Sequence, residues 1–426
     1  MEKDIRLRER LRYLFMSFEG QFLGLICLML FSIVYSQEFI TSQAMFFISG
    51  VVLFQRKENG RGLQLRRGNR ARLKEQGIWS PYWWLGISFV LVLISMFWSD
   101  NMKYSMRWVQ LKIPFVVFPL VFVMAKGFSQ KFLYNVLYFL LLLMTVSIIP
   151  VLINYLQDME QINLLLSQGQ PVPVPSNHIR YSMMLSLACI SGVILLYNKH
   201  YVLNKKERYL QLACSLFLFF MIHLLSVRTG IALVYLFIAL FLVFALFKFK
   251  RKAYVLGVFA VMLITPFIAY KTLPSLKNKI NYVLWDMGKF REGREQHYSD
   301  SERIISIKAG CSLFEGSPLL GVGAGDVKDE LKAYYGVNYP ALKVKLPHSQ
   351  FVTVLASYGI LGLILFLIGL LLPMWYYRKN ILFLSFSLFM LASMFFESTL
   401  ETNYGISIYL IFSLLGMKVI DEQKAS

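Results

Sequence analysis

Long apolar runs, separated by short polar segments, recur along almost the whole chain. A helix of roughly 17–25 residues crosses the hydrocarbon core of a bilayer, and the runs approach that length. A backbone in lipid must satisfy its own hydrogen bonds, so the runs are expected to be helices. The pattern predicts an all-α polytopic membrane protein with about twelve transmembrane helices. These spans lie near Gln21–Tyr35, Phe39–Phe54, Tyr82–Trp98, Ile113–Ala125, Phe132–Leu156, Arg180–Tyr197, Tyr209–Leu225, Ile231–Phe247, Ala253–Tyr270, Ser349–Met374, Ile381–Phe395 and Gly405–Met417.

The distribution of positive charges predicts how the spans are oriented in the membrane. The formal net charge is +20, but the Lys and Arg residues cluster in alternate loops between the apolar runs. Because positive loops stay on the cytoplasmic side, both termini are expected inside, with the first span as an uncleaved signal anchor. The charge therefore indicates topology rather than nucleic-acid binding. The loops predicted to be cytoplasmic are Lys3 to Arg12, Arg56 to Lys74, Lys126 to Lys131, Lys199 to Arg208, Lys248 to Lys252, Arg378 to Lys379 and Lys418 to Lys424.

One polar segment, between spans nine and ten, is far longer than an ordinary connection and is expected to be functional. Within it, SDSERIISIKAGCSLFEGSP predicts a helix with a capping box of Ser299 and Glu302 that stops at Gly316. A second short helix is predicted from Asp326 to Tyr335. The predicted organisation is a bundle over 1–270, an outer, partly helical loop domain over 271–347, and C-terminal spans over 348–426.

Arg228 stands in LLSVRTGIALV, between two closely spaced apolar runs. Its guanidinium is therefore expected at the outer membrane surface, where a charge is expensive. Such an arginine either reaches the lipid headgroups or faces a polar cavity and binds an anion. Thr229 and Gly230 beside it suit a tight turn that a ligand can approach.

Arg303 falls in the first turn of the predicted loop helix, where the helix dipole disfavours a cation. One interpretation is an ordinary salt bridge to Asp300 or Glu302. The other is that Arg303 and the helix amides hold a phosphate group together.

His348 follows Pro347, which is interpreted as the N1 proline of the next span. A neutral imidazole at this boundary can accept a proton, although a structural hydrogen bond is an equal alternative. Further polar residues, namely His178, Arg180, Glu397, Glu401 and Tyr404, could line the same outer mouth. The four cysteines show no metal-ligand spacing, so neither a metal nor a cofactor is predicted.

The order of these features resembles the O-antigen ligase and O-antigen polymerase family. It consists of an isolated Arg228 between spans, a large outer loop that carries Arg303 and then PLLGVGAGD, and PHSQF opening a span that continues as YGILGLILF. GVGAGD alone resembles part of a phosphate-binding loop, but no buried strand precedes it, so it is interpreted as a turn.

The resemblance implies a GT-C-like fold and a multi-pass protein of the bacterial inner (cytoplasmic) membrane with a periplasmic active site. Family ligases move a glycan from undecaprenyl diphosphate to a lipid A-core acceptor without a metal. By matching motif, Arg228 and Arg303 are implied to bind the diphosphate and His348 to activate the acceptor hydroxyl. HSQF departs from the commoner sequences after this histidine, which leaves the type of acceptor open.

Three alternatives remain at this point. A polysaccharide polymerase joins lipid-linked repeat units by the same chemistry, and the sequence does not separate it from a ligase. A transporter of lipid-linked glycans predicts ionisable residues near mid-membrane and broken helices in repeated halves, neither of which is clear here. A membrane scaffold needs no active site, and Arg228, Arg303 and His348 would then be unremarkable.

Overall fold

The computed structural model describes residues 17–56, 62–66, 68–77, 79–197, 205–248, 252–292 and 299–425. The charged segment from Lys3 to Arg12, the start of the loop at Lys199 and the side chain of the predicted cap Ser299 lie outside this description.

The described chain is helical apart from one small hairpin, β1 (Phe54–Arg56) with β2 (Leu63–Leu65), paired antiparallel. The helices are α1 (Phe18–Val34), α2 (Glu38–Leu53), α3 (Asn69–Glu75), α4 (Pro81–Trp84), α5 (Ile87–Ser95), α6 (Met102–Lys112), α7 (Pro114–Met124), α8 (Gln130–Gln157), α9 (Met159–Ser167), α10 (His178–Tyr197), α11 (Lys205–Leu225), α12 (Arg228–Lys248), α13 (Lys252–Thr272), α14 (Pro274–Arg291), α15 (Ser299–Gly316), α16 (Val327–Asn338), α17 (Gln350–Tyr376), α18 (Ile381–Phe396) and α19 (Asn403–Ala425). A 3-10 turn, Thr399–Glu401, joins α18 to α19.

The helices confirm a polytopic all-α membrane protein. Within the described residues, seven helical stretches are long and apolar enough to cross a membrane. They are Met102–Met124, Gln130–Gln157, His178–Tyr197, Lys205–Leu225, Arg228–Leu246, Gln350–Tyr376 and Asn403–Lys424. Three shorter apolar helices, α1, α2 and α18, coincide with further predicted spans. The count of twelve spans stays a prediction.

One predicted span is not a continuous helix. The run Tyr82–Trp98 forms two short helices, α4 and α5, which are separated by Leu85 and Gly86. Glycine loses the most backbone freedom when it enters a helix, so a break at Gly86 is physically reasonable.

The long polar segment holds three helices rather than the two predicted. The additional helix is α14, which follows α13 at a bend of 92°. Pro274 is the first residue of α14 and cannot donate to a preceding helical turn, so the chain changes direction here. The end of the bundle that carries α14, α15 and α16 is called the loop face below.

The loop is fastened to the bundle by its glycine motif. α17 is interrupted at Gly359 (φ 64°), and the backbone groups at this break pair with the motif. Val322 N donates to Ala356 O at 2.9 Å, and Ile360 N donates to Pro318 O at 2.9 Å. Gly321 (φ 68°) lies so close to the α17 backbone that a Cβ would collide with the amide of Tyr358. The predicted turn at GVGAGD is therefore confirmed.

The motif ends on a second anchor. The carboxylate of Asp326 accepts hydrogen bonds from Asp100 N at 2.8 Å and Asn101 N at 2.7 Å, at the start of α6. The apolar faces of α15 and α16 also bury Ile305, Leu313 and Leu331 against the α17 side of the bundle. The loop helices thus pack directly against the bundle and can hold side chains over its end.

Candidate functional site

A polar cavity of about 500 Å³ opens at the loop face. Its walls come from the connection between α9 and α10, the turn between α11 and α12, helices α14 and α15, and the segment before α17. The charged and titratable side chains that line it are His178, Arg228, Lys279, Glu302, Arg303, Lys345 and His348. Arg228, Arg303 and His348, which lie far apart in the sequence, therefore face one cavity.

Arg228 is the first residue of α12 and is 45% exposed. Its guanidinium donates to the carboxylate of Asp300, which is only 6% exposed. The remaining N–H groups can reach the cavity, while the ion pair holds the side chain against α15. One side of the Arg228 guanidinium is thus held by Asp300, and the other side faces the cavity.

The prediction of a tight turn at Thr229 and Gly230 was wrong, because the turn comes earlier, before Arg228. The left-handed residue is Ser226 (φ 56°), and both predicted turn residues belong to α12. Gly230 instead lets α12 approach α10 closely: a Cβ there would lie 2.9 Å from Ser182 Cβ, and Ser186 Oγ donates to Gly230 O at 2.8 Å. This close approach places the first turn of α12 beside that of α10.

The N-terminus of α15 is capped from α14. The fully buried carboxylate of Asp286 accepts from Asp300 N at 2.9 Å and also from the hydroxyl of Ser301. A carboxylate at a helix N-terminus satisfies free amides and complements the dipole. Because Asp286 occupies this position, the amides of α15 that it caps are not available to hold a phosphate.

Arg303 has neither of the salt bridges considered for it. Asp300 pairs with Arg228, and Glu302 pairs with Lys345. Within the described residues the Arg303 guanidinium makes no hydrogen bond or ion pair. Burial lowers its pKa, and the charge of Arg228 lowers it further, while Glu397 and Asp300 act in the opposite direction. An anion in the cavity would relieve this unfavourable state.

Lys279, on α14, is a cavity cation that the sequence did not reveal. Its ammonium donates to Gly169 O at 2.8 Å and lies 5.0 Å from the centre of the Tyr282 ring. Burial lowers the pKa of Lys279 to about 8: the charges of Arg228 and Arg303 act in the same direction, and those of Asp300 and Asp286 oppose it. The spacing of Lys279, Tyr282 and Asp286 at i, i+3 and i+7 would have identified this face, had α14 been recognised as a helix.

His348 lies just before α17 and contacts Glu397, in the connection between α18 and α19. Its Nδ1 is 3.2 Å from Glu397 Oε2, and its backbone N donates to Ser306 Oγ at 3.1 Å. The N-cap of α17 is Ser349, so interpreting Pro347 as the N1 residue was wrong. Pro347 remains in the lead-in, where its carbonyl oxygen accepts hydrogen bonds from the side chains of Ser398 and Thr353.

Glu397 keeps its negative charge in this setting. Burial alone would raise its pKa, but the hydrogen bond with His348 and the charges of Arg303 and Arg180 outweigh burial and hold the pKa below its ordinary value. An ionised carboxylate can only accept, so the hydrogen between the two side chains belongs to His348 Nδ1. In the neutral form of the ring, Nε2 is then the proton acceptor.

The other predicted mouth residues divide between two places. His178 lines the polar cavity, whereas Arg180, Glu397 and Tyr404 line a small apolar pocket that also reaches Asn177 at the cavity wall. The Arg180 guanidinium lies 5.6 Å from the centre of the Tyr404 ring. Glu401 faces neither space and is buried in an ion pair with Lys112.

The small pocket continues into an apolar groove. A second pocket, lined by residues such as Leu137, Ile190 and Phe383, extends toward the end of the bundle opposite the loop face, and Leu187 and Phe389 border both pockets. The basic cavity therefore adjoins an apolar path beside α10 and α18. This combination suits a ligand with an anionic head and an apolar tail.

The charge balance defines what the cavity can hold. Four cationic side chains line it against one carboxylate, Glu302. Within the described ranges, no cluster of three or more His, Cys, Asp or Glu side chains is arranged to hold a metal ion. The arrangement can bind a polyanion such as a diphosphate and can take up a proton at His348.

The fold and the cavity together define a multi-span helical membrane protein with a basic cavity, bordered by two histidines, beneath a helical loop. Residues 213–367 match the family model described as O-antigen ligase. This match supports the resemblance to O-antigen ligases and polymerases that the motifs indicated. Members of this family are glycosyl-transfer enzymes that act on lipid-linked glycans. A comparison with curated protein sequences gave no match.

The matched segment contains Arg228, Lys279, Arg303 and His348, so most of the cavity belongs to the family domain. Glu397 lies beyond it, in the connection that follows α18.

Proposed function

We propose that the protein is an O-antigen ligase-like glycosyltransferase. It moves a glycan from undecaprenyl diphosphate to a lipid A-core or related acceptor at the periplasmic face of the inner membrane. The observation that carries the proposal is that Arg303 and Lys279, which have no carboxylate partner, line one cavity with Arg228 and with His348, whose Nδ1 contacts Glu397.

The diphosphate binds between Arg228, Arg303 and Lys279. Arg228 and Arg303 offer several N–H donors in planar geometry, and Lys279 has donors left after its bond to Gly169. Charge-assisted hydrogen bonds of this kind are roughly twice as strong as neutral ones. The polyprenyl tail follows the apolar groove beside α10 and α18, and the glycan extends from the mouth of the cavity.

In the transfer step, the acceptor hydroxyl oxygen forms a bond to the anomeric carbon as the bond from that carbon to the diphosphate oxygen breaks. The hydroxyl proton moves to Nε2 of His348, whose imidazolium is stabilised by Glu397. The departing diphosphate keeps the electron pair and gains negative charge. The three cations stabilise this charge where it develops.

The test is a transfer assay with purified protein, a lipid-linked glycan and lipid A-core. His348→Ala is expected to lower the rate by about 10²–10⁴ and to leave binding of undecaprenyl diphosphate nearly unchanged, because it removes a general base. Arg303→Ala is expected to weaken that binding. Lys277→Ala, on the exposed side of α14, serves as a matched control and should transfer at the wild-type rate.

The proposal fails if folded, membrane-inserted Arg228→Ala, Arg303→Ala and His348→Ala proteins all transfer glycan at the wild-type rate. The same assay distinguishes the second candidate, a polymerase. Elongation of the lipid-linked glycan without transfer to lipid A-core identifies a polymerase, since the cavity chemistry is common to both reactions.

A further inference from the structure

A buried ion pair lies behind the His348–Glu397 pair, away from the polar cavity. Lys112, at the end of α6, is 3% exposed, and its Nζ is 3.0 Å from Glu401 Oε2. The same Nζ donates to Leu400 O at 2.6 Å and lies 5.7 Å from the centre of the Phe115 ring. A charged pair this deeply buried is weak support for stability, because desolvation opposes its formation.

Gln350 connects this ion pair to α17. The side chain is fully buried at the first residue of that helix. Its Nε2 donates to Glu401 Oε1 at 2.6 Å, and its Oε1 accepts from Leu400 N at 2.8 Å. One amide therefore fixes both the side chain and the backbone of the 3-10 turn.

These contacts hold together the two segments that carry the proposed base and its carboxylate. His348 lies two residues before Gln350, and Glu397 lies four residues before Glu401. Between the two ends, Thr353 Oγ1 is 2.9 Å from Ser398 Oγ. Ser398 Oγ also donates to Pro347 O. The two segments are thus joined at four places, and the His348–Glu397 contact of 3.2 Å is the one that faces the cavity.

We propose that Lys112, Glu401 and Gln350 form a positioning unit for the His348–Glu397 pair. This inference rests on the proposed function. The three residues touch no substrate; they set the distance and angle between the imidazole and its carboxylate. A displacement of about 1 Å at a reacting group can lower a rate by ~10²-fold, so even a small loss of register matters.

The test compares a Lys112→Met, Glu401→Gln double variant and a Gln350→Met variant with wild type. The double variant removes both charges and so leaves no unpaired ion in the bundle. Each variant is expected to lower kcat by about 10²-fold, with little change in donor KM or in the affinity for undecaprenyl diphosphate.

Tyr377→Phe is the matched control. Tyr377 is also buried and donates to Asp421 at 2.8 Å, but it is the C-cap residue at the opposite end of α17. It should lower thermal stability without changing kcat. A purely structural role for the Lys112 network predicts instead that the kcat of each variant follows its stability, as in the control. Unchanged kcat in a folded double variant overturns the inference.

A second readout separates this inference from the proposed function. The rate at which diethyl pyrocarbonate modifies His348, followed by mass spectrometry, does not require turnover. Loss of positioning is expected to change this rate in the same direction as Glu397→Gln does, with no change in Tyr377→Phe. If wild type transfers no glycan, the proposed function fails, and an unchanged modification rate in the double variant still overturns the positioning role.

Discussion

At the scale of single residues, Arg303 and Lys279 are cations whose charge is not matched by a neighbouring carboxylate. Asp300 is engaged by Arg228, Asp286 by the N-terminus of α15, and Glu302 by Lys345. Half-buried charges in this state oppose folding unless a ligand compensates them. The cavity therefore carries an excess of positive charge that a bound anion would compensate.

Lys279 should make diphosphate binding depend on pH. Its pKa of about 8 in the free protein is expected to rise when an anion binds, because the anion favours the charged form. The affinity for undecaprenyl diphosphate is then constant below pH 8 and falls above it. A one-unit rise in pKa corresponds to about a tenfold loss of affinity at high pH.

Lys279→Arg is the control for this dependence. An arginine stays protonated throughout the range, so its affinity should remain flat up to about pH 10. Titrations at pH 7 to 10 measure both proteins. A wild-type affinity that is as flat as that of Lys279→Arg would exclude Lys279 from the binding site.

Asp300→Asn should release Arg228. The substitution removes the charge that holds the guanidinium and leaves the helix backbone in place. We expect weaker binding of the diphosphate by about tenfold, since breaking a partly buried ion pair leaves Arg228 free to adopt other rotamers. Equilibrium binding measures this loss, and Asp329→Asn, in an exposed pair with Lys332, should have no effect.

The sequence was most informative about residues whose own neighbours are unusual. Arg228 is conspicuous as a charge between apolar runs, and His348 as a polar residue at a span boundary. Lys279 lies in ordinary polar sequence, and its partner Gly169 is 110 residues away. Its position in the cavity depends on how α14 packs, which local sequence does not specify.

At the scale of elements, the glycine motif and the break in α17 form one joint. Two left-handed glycines, Gly321 and Gly359, allow the loop backbone to enter the interrupted helix and complete its hydrogen bonds. Neither position accepts a Cβ without a collision. The joint fixes the distance of α15 from the bundle, and with it the position of Arg303 at the cavity.

Gly321→Ala should destabilise the protein, by about 1–3 kcal/mol for the backbone strain alone. Gly336→Ala is the matched control: this glycine lies within α16 with open space around its Cβ position, so alanine should stabilise by up to about 1 kcal/mol. Thermal unfolding in detergent measures both changes. Equal effects of the two substitutions would contradict the proposed joint.

Elements were predicted well where their signal is local. An apolar run of sufficient length specifies a helix by itself, so most spans agreed with the structure to within a few residues. The sequence did not predict α9 and α14, because α9 is short, α14 is amphipathic, and the two helices stabilise each other. Asn278 Nδ2 on α14 donates to Asn163 O on α9 at 3.1 Å. The capping of α15 by Asp286 is likewise a tertiary contact.

At the scale of the whole molecule, the cavity opens at one end of the bundle and the basic loops predicted to be cytoplasmic belong to the other. At the C-terminal end of α7, away from the cavity, Arg72 Nε donates to Met124 O at 2.8 Å. At the N-terminal end of α7, Lys112 contacts the 3-10 turn beside the cavity. From the positive-inside rule we then expect the cavity on the periplasmic side.

Labelling of single cysteines tests this sidedness. In a chain whose native cysteines are replaced, Lys277→Cys on α14 should react in intact cells with a thiol reagent that does not cross the inner membrane. Arg70→Cys on α3 is equally exposed and should react only after lysis. The reverse pattern would place the cavity in the cytoplasm.

The most direct single measurement is a cryo-EM structure of the protein with undecaprenyl diphosphate. We expect density for the diphosphate among Arg228, Lys279 and Arg303, with its terminal phosphate directed toward His348 and the tail beside α10 and α18. Density for the diphosphate outside this cavity, or beyond reach of His348, would contradict the proposed site and the reaction assigned to it.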